Sequence, residues 1–261
     1  MFFGSEPGSV RDLAEVLGEG ELDPALWRLR QQVADRLSVR RTRRRGDRRG
    51  PGPPVSARWR DSEDDVDVER TVEALLARRP LDEHDIVVRV REAPRRAVAL
   101  VVDASVSMSG PKALLAAAAV GALGAELARE ELTVVAFWQD AAVLRGAVDA
   151  RPLDAVLGDL VRLRAEGLTN VGVGLHVAAR ELSRSGAPRR AAVLLSDCVH
   201  NAGPDPRPLA SRLPRLHVLV QAQGEHDEAL ARDLARIGGG HFARVTHPHE
   251  VAEALNRAMR T

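Results

Sequence analysis

Ala97-Val98-Ala99-Leu100-Val101-Val102-Asp103-Ala104-Ser105-Val106-Ser107 is the stretch on which the fold turns. Its first six residues are apolar without alternation, the pattern of a strand buried on both faces, as in a parallel sheet covered by helices. A carboxylate and two hydroxyls then follow at i, i+2 and i+4. Polar residues of this kind directly beyond a central strand lie where open α/β sheets bind their ligands.

Working outward, strand and helix signals alternate from Arg95 to Thr261. Pro111–Arg129 predicts a helix of Ala and Leu, Leu132–Trp138 a second buried strand, and Ala141–Ala147 a short edge strand. Helical spacing follows at Pro152–Leu163 and Val171–Ser183. Arg190–Leu195, Leu216–Val220 and His241–Val245 read as further strands, with helices at Asp227–Ile237 and Pro248–Met259. About six strands joined by crossover helices imply an α/β fold, a doubly wound, mostly parallel, Rossmann-like sheet flanked by helices.

Composition agrees with that layering. Hydrophobic residues make up 44% but aromatics only 3%, so the core must be assembled from Ala, Val and Leu. Lys+Arg of 38 nearly cancels Asp+Glu of 37, so overall charge gives no argument for a nucleic-acid or anionic-membrane partner. Cys198 is the sole cysteine, which excludes an internal disulfide and a cysteine-based zinc cluster. The start of the chain lacks the basic and apolar regions of a signal peptide, and no apolar run reaches the roughly 18 residues of a membrane span. A cytoplasmic protein is the expectation.

Three zones are expected. Residues 1–50 hold an amphipathic pattern over Pro24–Val39 (Leu26, Leu29, Val33, Leu37) and an arginine-rich tail, Arg40–Arg49. Residues 51–94 begin as a Pro/Gly linker, pass through the acidic stretch Asp61–Asp67, and carry a short helix and the strand Ile86–Val90 as an extension. Residues 95–261 form the main domain.

Two further loops complete the polar set. Thr169 stands just before the helix at Val171, and Asp197 follows the strand Arg190–Leu195. Two carboxylates and three hydroxyls make an all-oxygen donor set, which suits a hard divalent cation. Asp103-x-Ser105-x-Ser107, then Thr169, then Asp197 resembles the metal-ion-dependent adhesion site of von Willebrand factor A domains, over roughly Arg95 to Thr261. The resemblance implies a site for Mg²⁺, with Mn²⁺ or Ca²⁺ as alternatives. It implies Ser105 and Ser107 as direct ligands, Thr169 as a direct or water-mediated one, and Asp103 and Asp197 acting largely through water. One position is left for a Glu or Asp of a protein partner. The chain departs from many such domains at Cys198, where they carry glycine, and at Asn170, where they carry an acidic residue. It is similar to cytoplasmic proteins of this type that work with MoxR-type AAA+ ATPases, and to magnesium-chelatase D-type subunits. The implied role is a non-enzymatic adaptor, and no G-x-x-x-x-G-K-[ST] loop makes this chain an ATPase itself.

Plainer readings compete at each position. Ser109 suits helix capping, Thr169 or Asn170 could cap the helix at Val171, Asp197 could be a turn residue, and Cys198 reads as a small buried thiol. Two other functions are open on sequence grounds. One is a metal-assisted hydrolase with His200 as base, against which stands the lack of a G-x-S-x-G elbow. The other is nucleic-acid binding through Arg40–Arg49, which lacks interleaved aromatics.

Overall fold

The structure, a computed structural model, describes residues 8–17, 49–59, 65–77, 85–92, 95–105, 111–126, 131–147, 149, 151–163 and 167–259. Contacts divide the chain into two units, one made of residues 43–95 and the other of residues 1–42 with 96–261.

In the larger unit, β4 (Arg96–Asp103) lies inside a six-stranded sheet with β5 (Glu131–Phe137), β6 (Ala141–Arg145), β7 (Arg189–Ser196), β8 (Leu216–Gln221) and β9 (Gly239–Val245). The order is β6-β5-β4-β7-β8-β9, parallel throughout except for the antiparallel edge strand β6. Chain order reverses between β4 and β7, and the carboxyl ends at such a switch point are where open α/β sheets bind their ligands.

The apolar run in β4 has two outward faces, and each builds its own core. Ala97, Ala99 and Val101 belong to one core with Leu175, Val177 and Leu182 of one helix, α5 (Val171–Ser183), and with Leu230 and Leu234 of α7 (Glu228–Ile237). Val98, Leu100 and Val102 face Val120 and Leu123 of α3 (Pro111–Glu126), Val156 and Leu157 of α4 (Leu153–Arg162), and Val251 and Leu255 of α8 (Pro248–Met259). Helices therefore cover both faces of the sheet, as the unbroken apolar strands require. A one-turn helix, α6 (Arg207–Ala210), interrupts the loop after β7.

The approach of α5 to the sheet depends on Gly174. A Cβ there would lie 2.8 Å from the Phe137 ring and 3.0 Å from Val101 Cγ1, so only hydrogen fits between helix and strand. Asn170 starts this helix as its N-cap, its side chain accepting from the Val173 amide at 3.1 Å.

Residues near the start of the chain close the β6 edge. Val10 pairs with Ala141 in parallel, α1 (Leu13–Val16) follows, and Leu17 bridges Leu163.

The smaller unit has its own three-stranded antiparallel sheet, in the order β1 (Arg49–Arg58), β3 (Val87–Glu92), β2 (Asp65–Val66). The Gly50–Pro54 string expected as a linker is part of β1. Its prolines are tolerated because β1 is an edge strand, and the register shifts between Arg49 and Pro54. The helical pattern from Val68 forms α2 (Val68–Ala77). Asp67 opens it, accepting from the Arg70 amide and, at 2.9 Å, from the Ser56 hydroxyl, while Thr71 ties the helix to Val87 of β3. The amphipathic segment Pro24–Val39 and the arginine run, apart from Arg49, lie outside the described residues.

Candidate metal centre at the carboxyl rim

Parallel register puts the ends of β4 and β7 side by side, with Val102 opposite Leu195. Asp103 closes β4, Ser196 ends β7, and Asp197 follows it directly. Asp103 is 2% exposed, and both its carboxylate oxygens are engaged. Oδ1 accepts from the Ser105 amide at 2.9 Å and the Ser105 hydroxyl at 2.6 Å; Oδ2 accepts from the Ser196 hydroxyl at 2.5 Å. Burial pushes the Asp103 carboxyl up to about 6, against the hydrogen bonds from Ser105 and Ser196, and the nearby Asp197 charge adds to the rise. A carboxylate held this way is short of positive charge.

Asp197 is fully buried. Its Oδ1 accepts from the Val199 amide, and its carbonyl accepts from the Asp227 amide at 2.8 Å. Asp227 in turn caps α7 through the Leu230 amide, so the loop after β7 is pinned to the start of the next helix.

The third loop arrives from the other side. The Asn170 amide donates to the Trp138 carbonyl beyond β5, and Thr169, 3% exposed, is gripped through its backbone by the loop after β7. Its amide donates to Asn201 Oδ1 at 2.7 Å, and its carbonyl accepts from the amides of Asn201 and Ala202. His200 adds another tie, with Nδ1 accepting from the Val171 amide and Nε2–H donating to the Pro204 carbonyl at 3.1 Å. Burial lowers the His200 pKa, which favours the neutral ring that this pair of bonds needs.

Asp103, Ser105 and Asp197 are thus drawn together at the switch point, and Thr169 is fastened to the loop that carries Asp197. Ser107 lies outside the described residues. His200 and Asn201 hold the loops together by hydrogen bonds to main-chain groups, a role for which residue type and spacing carry no signal. Among the described residues no three His, Cys, Asp or Glu side chains form a group that could hold a metal ion; the side chains brought together here, Asp103, Ser105, Ser196 and Asp197, offer carboxylate and hydroxyl oxygens. That chemistry fits a hard divalent cation, and it does not fit a nitrogen- or sulfur-ligated one.

Cys198 has φ of 60°, in the left-handed region that favours glycine. Its thiol is free and fully buried, and burial pushes its pKa far up, so it is a packed apolar group.

No family model and no curated protein matches the chain. Solved structures do. The chain is similar to an aerotolerance-related membrane protein from Bacteroides fragilis (16% identity, TM-score 0.54, covering 64% of this chain and 98% of that one). It is similar to a von Willebrand factor type A protein from Catenulispora acidiphila (21% identity, TM-score 0.52, 66% and 43% covered). It also resembles proximal thread matrix protein 1 from the mussel byssus, with a zinc-occupied MIDAS motif (16%, TM-score 0.51, 64% and 47% covered). At these identities the likeness establishes the fold, and the fold is that of von Willebrand factor A domains. No helix among the described residues is long and apolar enough to cross a membrane.

Proposed function

We propose that this chain is a non-enzymatic protein-binding domain that works through a divalent metal. Asp103, Ser105, Ser107, Thr169 and Asp197 would hold Mg²⁺, and a Glu or Asp of the partner would complete the coordination. The ion supplies a positive charge that an external carboxylate can meet. The observation that carries the reading is Asp103. It is a buried carboxylate at the switch point, braced by the Ser105 and Ser196 hydroxyls and next to a second buried carboxylate, Asp197. A +2 ion would offset a charge that burial now disfavours.

An adaptor rather than a hydrolase is supported by His200. Both its ring nitrogens are spent on main-chain groups, which leaves neither to take a proton from a nucleophile. The partner we favour is a MoxR-type AAA+ ATPase, in the cytoplasm, following the sequence resemblance.

Calorimetric titration of Mn²⁺ and Mg²⁺ into the wild type and into Asp103→Ala tests the proposal. Binding by the wild type and its loss in the variant are expected; a wild type that binds neither ion would end it. A chelator should also release whatever protein co-purifies with the chain in Mg²⁺.

A further inference from the structure

We infer that Asp140, together with the segment Gly8–Arg11 that it anchors, is a positioning device for the Thr169 loop. The inference rests on the metal-dependent reading of the rim and names residues that act on it from outside the ligand set.

The turn Trp138–Asp140 joins β5 to the edge strand β6, and it is closed by the Trp138 amide donating to the Asp140 carbonyl at 2.7 Å. One side of this turn holds the chain's early residues. Asp140 Oδ1 accepts from both the amide and the hydroxyl of Ser9, at 2.7 and 3.0 Å, and Oδ2 pairs with Arg11 at 3.8 Å. Ala141 then exchanges main-chain bonds with Ser9 and Arg11, donating to the former and accepting from the latter. The other side of the turn holds the site. The Trp138 carbonyl accepts from the Asn170 amide at 2.8 Å, and the Gln139 carbonyl is 3.5 Å from Asn170 Nδ2.

Gly8 joins the two sides. A Cβ on it would lie 2.1 Å from the Gln139 carbonyl oxygen and 3.1 Å from Asn170 Nδ2, so the segment sits directly on both. Because Val10 pairs in parallel with the strand that leaves the rim, the segment starts at the rim and runs away from it. Ser9, Asp140, the turn and Asn170 therefore form one connected set of bonds ending beside Thr169. With Asn170 held, Thr169 is fixed from the β5 side as well as from the loop after β7. Release of the segment frees the β5 side only.

Hydrogen exchange on the full-length, metal-free protein tests this without depending on the ion. In Asp140→Ala, exchange at the Asn170 and Val173 amides should rise about tenfold or more, while Val218 and Val220 in β8 keep wild-type protection. Gly8→Ala, which leaves Asp140 intact and pushes the segment off the turn, should do the same. Asp140→Asn, still able to accept from Ser9, should restore most of the protection. In titrations, Mn²⁺ affinity should fall about tenfold in the first two variants and recover in the third, as for groups that orient metal ligands. A segment that is released, with free exchange at Arg11, while Asn170 and Val173 stay protected overturns the inference. If the wild type binds no Mn²⁺, the metal reading fails, and the exchange experiment still decides whether the segment positions the loop.

Discussion

Replacing Ser196 by alanine removes one oxygen that serves two buried groups. The hydroxyl donates to Asp103 Oδ2 at 2.5 Å and accepts from the Cys198 amide at 2.8 Å, and Ser196 is fully buried. A hydrogen bond to a charged group contributes about 1.5–3 kcal/mol, and a buried amide left without an acceptor costs about 1–3 kcal/mol. The two losses share an atom and are not strictly additive, so a net loss of about 3 kcal/mol is expected. The pH dependence has a definite sign. The folded pKa of Asp103, about 6, lies above the ordinary 3.8, so the metal-free fold gains stability from this group as pH falls through 6 towards 3.8. Ser196 opposes that rise by favouring the charged form. Its removal should therefore cost more at about pH 8, where the carboxylate is ionised, than at about pH 5, where it is largely neutral. Urea denaturation of metal-free protein at the two pH values measures both quantities. A loss below about 1 kcal/mol at the higher pH, or an equal loss at both, would refute the view that this hydroxyl braces an ionised Asp103.

Two further outcomes follow from groups away from the rim. His217 is buried, and its pKa is pushed down to about 4, mainly by burial, with His241 and Arg215 adding to the effect; the His241 amide donates to its Nδ1. The neutral ring's contribution is complete above the ordinary pKa of 6.5 and is lost as pH falls towards 4, up to about 3 kcal/mol, and His217→Asn should flatten that slope in urea titrations. Gly174→Ala should lower stability by about 1–2 kcal/mol in thermal denaturation. The clash with Phe137 outweighs the roughly 1 kcal/mol of helix propensity gained, and a stabilised variant would show that α5 can move off the sheet.

Much of the larger unit was legible because its strands are buried on both faces. Ala97–Val102, Leu132–Trp138 and Arg190–Leu195 needed no alternation to be read, and they match β4, β5 and β7 to within a residue or two at each end. The helix expected at Val171–Ser183 has those bounds, with Asn170 rather than Thr169 as its cap, and the one expected from Asp227 begins at Glu228, with Asp227 as its cap. The strand-end position of Asp103 and Asp197 followed from those runs. The early segment at the β6 edge was not legible, because its hold depends on one distant carboxylate, Asp140, and on main-chain pairing that any residues could make. β1 was hidden by its own prolines, which mark a linker unless the strand happens to be an edge. His200 and Asn201 were hidden too, since their partners are amides and carbonyls of another loop.

The grip of Asn201, Ala202 and His200 on the start of α5 has a mechanical meaning. The loop after β7 and the first turn of that helix are riveted into one piece, and the helix's 13 residues extend about 20 Å along the sheet. Near its far end the buried Glu181 meets the Ala147 amide and the Arg184 guanidinium. A displacement of the loop after β7 would therefore carry the first turn of α5 with it.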